Sequence, residues 1–428
     1  MSIQNNYPIL KPTLNLNFLK RKRLDPRINF TRTSTATYTS ANGTLMTAAA
    51  NTARFDYDPI TLTNKGLLIE SSRVNYMLQS QSFATYSPWF GGNTTGNVVF
   101  TSNATTAPDG TNTATLMTTD STSAQHCVYQ SFSIAANTPL VLSFYFKQSV
   151  NCNVGVIMYA SNAANNFSAT FNTSNGQVMA YSSNPWIRSY GSQNVGNGWY
   201  RCYVSGNTIG DGGGQHTIYL ANSTGAGSFV GDGISNVYIW GAQVETTSAS
   251  GLYDPPTSYI YTTSSTVTRS ADVASLSTNT SWFNQNQGTL YAEGSSFGSN
   301  ESSTRRLWQL DDGTTNNEIL LGFNISANTD RFLIQNNASF SADFNISANA
   351  NLVNRMAGVY NYQTGNAIAA FNSILTTEGN GAIPIVNILR IGTDTTTGSA
   401  SLMGWLRKVE YYPFELSNTS IQSLTQSP

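Results

Sequence analysis

The chain holds only two imidazoles, His126 and His216. A Ser-His-Asp or Cys-His system needs a histidine held against both a nucleophile and an acid. His126 precedes Cys127, but neighbours on a strand point to opposite faces, so that pair is not expected to form a dyad. Glycoside cleavage needs two carboxylates held roughly 5–10 Å apart. Asp311 and Asp312 lie in LDDGTTNN, a turn in form, and Asp211, Asp232 and Asp254 each adjoin Gly or Pro. Such positions read as turn carboxylates, and no Gly-rich phosphate loop joins a strand to a helix. No enzyme is therefore expected. Cys127, Cys152 and Cys202 lie far apart without a CxxC, and their odd count fits buried thiols better than a disulfide.

Binding chemistry is better represented. Sugars are held by aromatic faces together with Asn, Gln, Asp and Arg. With seven Trp and 22 Tyr, most aromatics must serve cores, so those in loop-like surroundings stand out. These are Trp89 in YSPWFGGN, and Trp186 and Tyr190 in SNPWIRSYGS, each expected to meet a ligand or a neighbouring chain. Trp240, Trp308 and Trp405 lie in alternating runs and are expected in cores. In GNGWYRCYVSG, a period of two puts Tyr200, Cys202 and Val204 on one face and Trp199, Arg201 and Tyr203 on the other. Arg201 is then expected to stack between Trp199 and Tyr203 as a cation–π contact. The densest charge run, Lys20-Arg21-Lys22-Arg23, reads as a solvated arm or as a docking arm for a partner.

The elements that must position these residues are strands. Charged residues make up 10% of the 428, so the strong helix formers Glu, Lys and Arg are scarce, while Thr and aromatics suit pleated surfaces. The expected class is all-β. Residues 1–27 form the arm. Residues 28–75 read as a small β-rich collar, with Asn42-Gly43 as a hairpin signal. Residues 76–263 carry regular short strands with Gly and Asn turns, as in a jelly roll. In LVLSFYFKQS, Leu140, Leu142, Phe144 and Phe146 share one face. Residues 264–280 read as a linker, and 281–428 as a second sandwich ending in a short helix capped by Ser417 or Asn418. The net charge of −1 argues against a nucleic-acid partner. No apolar run approaches the roughly 20 residues of a membrane helix, so membrane insertion is not expected. The amino terminus does not read as a secretory signal, because its charges follow its apolar part.

Three clusters resemble a pattern of phage virion proteins: LDPRINFTRTSTATYTSANGTL with RFDYDP and GLLIESSRVN; GNGWYRCYV; and WGAQVE with PTSYIYT and TVTRSAD. Such segments occur in tail-fibre, tailspike and head-fibre proteins, whose middle domain is a carbohydrate-binding-module-like jelly roll. The last 150 or so residues resemble a laminin-G/concanavalin-A-like sandwich, through RMAGVYN, ILRIGTD and LMGWLRKVEYYP. The resemblance implies a virion appendage made in a bacterial cytoplasm. It implies a homotrimer docked on other virion proteins and binding a host surface polysaccharide. A capsid decoration or head-fibre role is the alternative, and a polysaccharide depolymerase the third. No cofactor is expected. By likeness to carbohydrate-binding modules, Asp109 and Glu245 could share a structural Ca²⁺, although a turn Asp and a strand-end Glu account for the same residues.

Overall fold

The computed structural model describes residues 11–84, 87–91, 97–207, 212–246, 255–278, 281–297, 304–377, 379–394 and 400–426. It is all-β, as expected, with one α-helix among the described residues, Asn418–Thr425, whose Ser417 cap accepts from Ser420 N. The strands form two sandwiches.

The jelly roll follows the alternation of its sequence. Strand Pro139–Val150 pairs with Trp199–Asn207 on one side and Asn236–Thr246 on the other, inside a six-stranded sheet. Opposite lies a five-stranded sheet running from Cys127–Ser133 to Val178–Tyr181. Leu140, Leu142, Phe144 and Phe146 fill the space between them with Cys202, Val204 and Phe171. The other face of Pro139–Val150 is buried as well: Val141, Ser143 and Tyr145 are covered. Tyr145, Trp199, Trp240 and Tyr259 form a separate apolar cluster there, with Leu45 of the hairpin Ala36–Thr39/Leu45–Ala48 against it. That hairpin carries Asn42-Gly43 at its tip, with Gly43 at a φ of +80 that glycine adopts freely.

The second sandwich corrects three expected boundaries. The arm is a strand: Leu14–Asn17 pairs with Gly404–Tyr412, with Leu14 opposite Tyr411. Leu14, Leu16 and Phe18 alternate into the core, and that burial is what draws a polar-looking terminus into the sheet. The collar is not a separate unit either. Arg54–Tyr57 and Asn64–Ile69 extend the same nine-stranded sheet, and Asn29–Thr31 joins the seven-stranded sheet facing it. The linker is also structured. Val267–Arg269 pairs with Arg73–Asn75, and Val273–Ser277 lies between Asn29–Thr31 and Ile388–Ile391. Both ends of the chain therefore build one sandwich, and the jelly roll is inserted between them. The terminal helix covers the outer face of the larger sheet through Ile421, beside Val359 and Ile368.

Where insertion and sandwich meet, charges are buried. Arg32 Nη1 donates to Asp272 Oδ1 at 2.9 Å, and Arg54 reaches Glu70 Oε2 at 2.7 Å and Asp272 Oδ2 at 2.5 Å. Arg269 lies 3.2 Å from Glu70. Burial works to raise the Glu70 carboxyl, but Arg269 and Arg54 outweigh it and bring its pKa to about 2. The segment 255–262 crosses this region, and side chains take many of its backbone groups. Glu245 accepts from Thr257 N, Glu70 from Ser258 N, Gln243 from Ile260 N and Ser80 from Thr262 N. Thr37 donates to Tyr259 O, and Asn75 to Ile260 O.

The cluster sets three guanidinium groups against two carboxylates, so Glu70→Gln raises its excess of buried cations from one to two and should destabilise the protein by about 3–5 kcal/mol at neutral pH, read from urea unfolding. The deficit should narrow as pH falls from 4.5 towards 2, where native Glu70 itself takes up a proton. Asp330 behaves in the opposite sense. Burial raises its carboxyl to about 8, with only Asn372 Nδ2 at 3.5 Å. The folded state keeps a proton that the unfolded chain releases near pH 4, so this contribution is complete below pH ~4 and is lost up to pH ~8. Asp330→Asn should flatten that decline in a pH series of melting temperatures.

Candidate functional site

The three aromatic candidates have different fates. Trp89 is 0% exposed and belongs to the jelly-roll core. Its Nε1 donates to Leu78 O and Gln79 O, each at 3.0 Å, and its ring lies 4.9 Å from Phe83 and 6.0 Å from His216. The Pro- and Gly-rich surroundings thus deliver an indole into the sandwich, and Trp89 is no ligand platform. Trp186 is half-buried, in a turn held by Asn184 Oδ1, which accepts from the backbone N–H groups of Trp186 and Ile187. Tyr190 stacks on Tyr181 with centroids 4.2 Å apart and planes 22° apart. Tyr190 lies on Ile187–Gly196, the edge of the six-stranded sheet, and Tyr181 on Val178–Tyr181, the edge of the other. The stack therefore spans two sheet edges, and Tyr181 remains 53% exposed. Its role was not legible in VMAYSS, because the pairing joins residues on different sheets.

The proposed calcium pair has other partners. Glu245 is buried and takes Thr257 N and Thr257 Oγ1, each at 2.6 Å, while Asp109 closes its own turn by accepting from Thr111 N and Oγ1. No group of three or more His, Cys, Asp or Glu is placed to hold a metal among the described residues. The two carboxylates do structural work, which corrects the calcium expectation.

The catalytic candidates serve the fold. His126 Nδ1 lies 2.6 Å from Asn97 O, and His216 is fully buried beside Trp89 with neither ring nitrogen hydrogen-bonded among the described residues; burial lowers its pKa to about 4. Asp311 takes Arg390 Nε at 2.6 Å, Asp312 accepts from Thr314 and Asn317, and Asp232 from Ile234 N and Ser235 N. Asp211 and Asp254 lie outside the described residues. All three cysteines are buried free thiols, with burial pushing Cys127 up to about 11 and Cys152 to about 12. Arg201 does not stack between Trp199 and Tyr203. Its guanidinium lies over Tyr145, 5.3 Å from the ring centroid, because Nη1 reaches across the sheet to Thr257 O at 2.6 Å.

A cavity that motif reading did not anticipate lies at the junction of jelly roll and second sandwich. It has a volume of about 160 Å³. An apolar void of about 150 Å³ accommodates a six-membered ring. Its lining includes Asp56, Glu70, Tyr145, Arg201, Thr257 and Tyr259, together with Tyr38, Tyr57, Lys65, Gln193, Phe297 and Trp405. Trp405 belongs here and not to a core: its Nε1 donates to Asp56 Oδ2 at 2.8 Å, and Lys65 Nζ sits 3.2 Å above its ring. Burial pushes Asp56 up and Lys65 down, so both lean towards their neutral forms. The Tyr57 hydroxyl is buried and has no hydrogen-bond partner among the described residues. The exposed run Lys20-Arg21-Lys22-Arg23 follows the first strand close by, with Lys22 Nζ 5.3 Å from the Tyr57 ring centroid.

No family model matches the chain, and no curated protein does. Among solved structures, the sialidase module CBM40 of Ruminococcus gnavus bound to α2,3-sialyllactose aligns with a TM-score of 0.29 and 14% identity, over 33% of this chain and 84% of that one. Domain 4 of AbnA, an arabinanase of Geobacillus stearothermophilus, in complex with arabinotriose, gives 0.29 and 11%, over 40% and 82%. A SAP-like pentraxin of Limulus polyphemus gives 0.27 and 14%, over 33% and 70%. At such scores these likenesses assign no ligand to this chain.

Trp89→Ala tests the reassignment of that residue. As a core indole, its removal should cost about 3–5 kcal/mol of stability in denaturant unfolding. Binding of any ligand at a temperature where the variant is folded should stay unchanged.

Proposed function

We propose that this protein is a bacteriophage virion appendage that holds a surface glycan without cleaving it, and that the junction cavity is its sugar site. One observation carries the binding: a cavity the size of a sugar ring, walled by Tyr38, Tyr57, Tyr145 and Tyr259, with Lys65, Gln193 and Arg201 as polar neighbours. Aromatic faces with a few placed polar groups suit a pyranose, which has an apolar face and a polar edge.

Holding is favoured over hydrolysis by the state of the two cavity carboxylates. Asp56 accepts from Thr39 N and Trp405 Nε1, and Glu70 from Ser258 and Arg54. Glu70 is almost fully buried and paired with Arg54 and Arg269, so it is fixed in the fold and not free to meet an anomeric carbon. The virion setting and the homotrimer rest on the sequence resemblance, and docking through Lys20, Arg21, Lys22 and Arg23 on the basic run they form. Trimeric display on many copies would raise the avidity of a weak single site. The exposed face of Tyr181, stacked on Tyr190 near Trp186, offers a second sugar contact on the jelly roll.

The test is a glycan array with purified protein, followed by titration of the best binder. Selected glycans should bind, Gln193→Ala, which removes an exposed lining amide, should weaken them by roughly threefold to tenfold, the value of one hydrogen bond, and no reducing ends should appear on prolonged incubation. A blank array with no adsorption to host cells would sink the reading. Labelled protein seen across the head and absent from the tail would favour a decoration role.

A further inference from the structure

The cavity does not end at its rim. Tyr38 and Tyr57 also line a shallower groove of about 590 Å³, which runs over Phe55 to Lys22 and Arg23. Among the described residues the groove's charged lining consists of two cations, and no carboxylate lines it. Asp25, the acid nearest in sequence, is held by Arg27 at 2.8 Å. Lys22 and Arg23 are themselves exposed, and Lys22 leans over Tyr57, the residue shared with the cavity.

From this continuity we infer that the site takes an anionic saccharide, with one ring in the cavity and a carboxylate- or sulfate-bearing neighbour in the groove against Lys22 and Arg23. The inference rests on the sugar reading of the cavity and adds the ligand's charge and direction. Three features point the same way. The groove is one-signed, so an acidic chain entering it meets attraction without an opposing carboxylate. The guanidinium of Arg23 suits a planar carboxylate in two-point contact, and Lys22 supplies a compact charge beside it. Ser40, Asn51 and Thr52 give the groove neutral donors and acceptors for the remaining hydroxyls. Two of the four basic residues of the run are thereby assigned to a ligand and not to docking.

The experiment uses the full chain on an array that carries acidic glycans (uronates, sialosides and sulfated sugars) beside neutral ones, with the native protein, Lys22→Gln/Arg23→Gln and Lys20→Gln. Lys20 belongs to the same run but does not line the groove, so Lys20→Gln reports charge loss alone. Acidic glycans should dominate the native signal, and the double variant should lose them by about tenfold or more, while neutral binders and Lys20→Gln stay unchanged. Raising the salt from about 0.05 M to 0.5 M should shrink the acidic preference, as exposed charges are screened. Neutral glycans bound as well as acidic ones, or acidic binding untouched by the double variant, would overturn the inference and leave the sugar cavity standing. Equal losses in the double variant and in Lys20→Gln would reduce it to bulk charge and also overturn it. A native protein that binds neutral and acidic glycans alike not at all would remove the cavity reading itself.

Discussion

Five charged side chains without water set the terms for the rest of the molecule. Arg32, Arg54, Glu70, Arg269 and Asp272 come from four separate stretches of chain, and each is almost completely buried. A buried charge is costly unless it is paired, and each of these has an oppositely charged partner within 3.2 Å, although the Arg269 guanidinium makes no hydrogen bond among the described residues. The cluster therefore forces the amino-terminal strands, the exit from the jelly roll and the entry to the second sandwich into one arrangement. The ion pairs need not add net stability over an apolar core. What they supply is a penalty for every other arrangement of these stretches.

The segment 255–262 shows the same logic in neutral form. An extended buried chain normally finds its partners in a neighbouring strand. Here Glu245, Glu70, Gln243, Ser80, Thr37 and Asn75 take that part, each satisfying a backbone group of the segment. Side chains from the jelly roll and from the amino-terminal strands thus hold one piece of chain between them. The outer face of Pro139–Val150 is buried as a result, and Arg201 is drawn across the sheet to Thr257. The cavity is what remains where these three surfaces fail to close, which is why its wall mixes tyrosines with charged groups.

This reading also explains the motif clusters. RTSTATY, RFDYD, GLLIE, WGAQVE, PTSYIYT and TRSAD look like scattered signatures. In the fold they supply Arg32 and Thr37, Arg54 and Asp56, Glu70, Gln243 and Glu245, the held segment, and Arg269 with Asp272. They are parts of one junction. As signatures they mark how a jelly roll is inserted into a sandwich, and the cavity is a consequence of that insertion.

Sequence alone determined what depends on local pattern. Scarce Glu, Lys and Arg with abundant Thr and aromatics gave the all-β class, and alternation in LVLSFYFKQS gave the core face of Pro139–Val150. Asn42-Gly43 marked its hairpin, Ser417 or Asn418 its helix cap, and the period of two in GNGWYRCYVSG put Cys202 beside Tyr200 and Val204 as a buried thiol. Tertiary structure alone decided what depends on distant partners. Leu14 meets Tyr411 across almost the whole chain, so a strand looked like an arm. Trp89 sits among Gly and Pro yet fills a core, because loop composition does not reveal where a ring is aimed. Trp405 lies in a strand yet faces the cavity, because only the return of the chain's first strands gives it Asp56 and Lys65 as neighbours. Periodicity records which face of a strand a residue occupies, and only the packing of whole sheets records what that face meets.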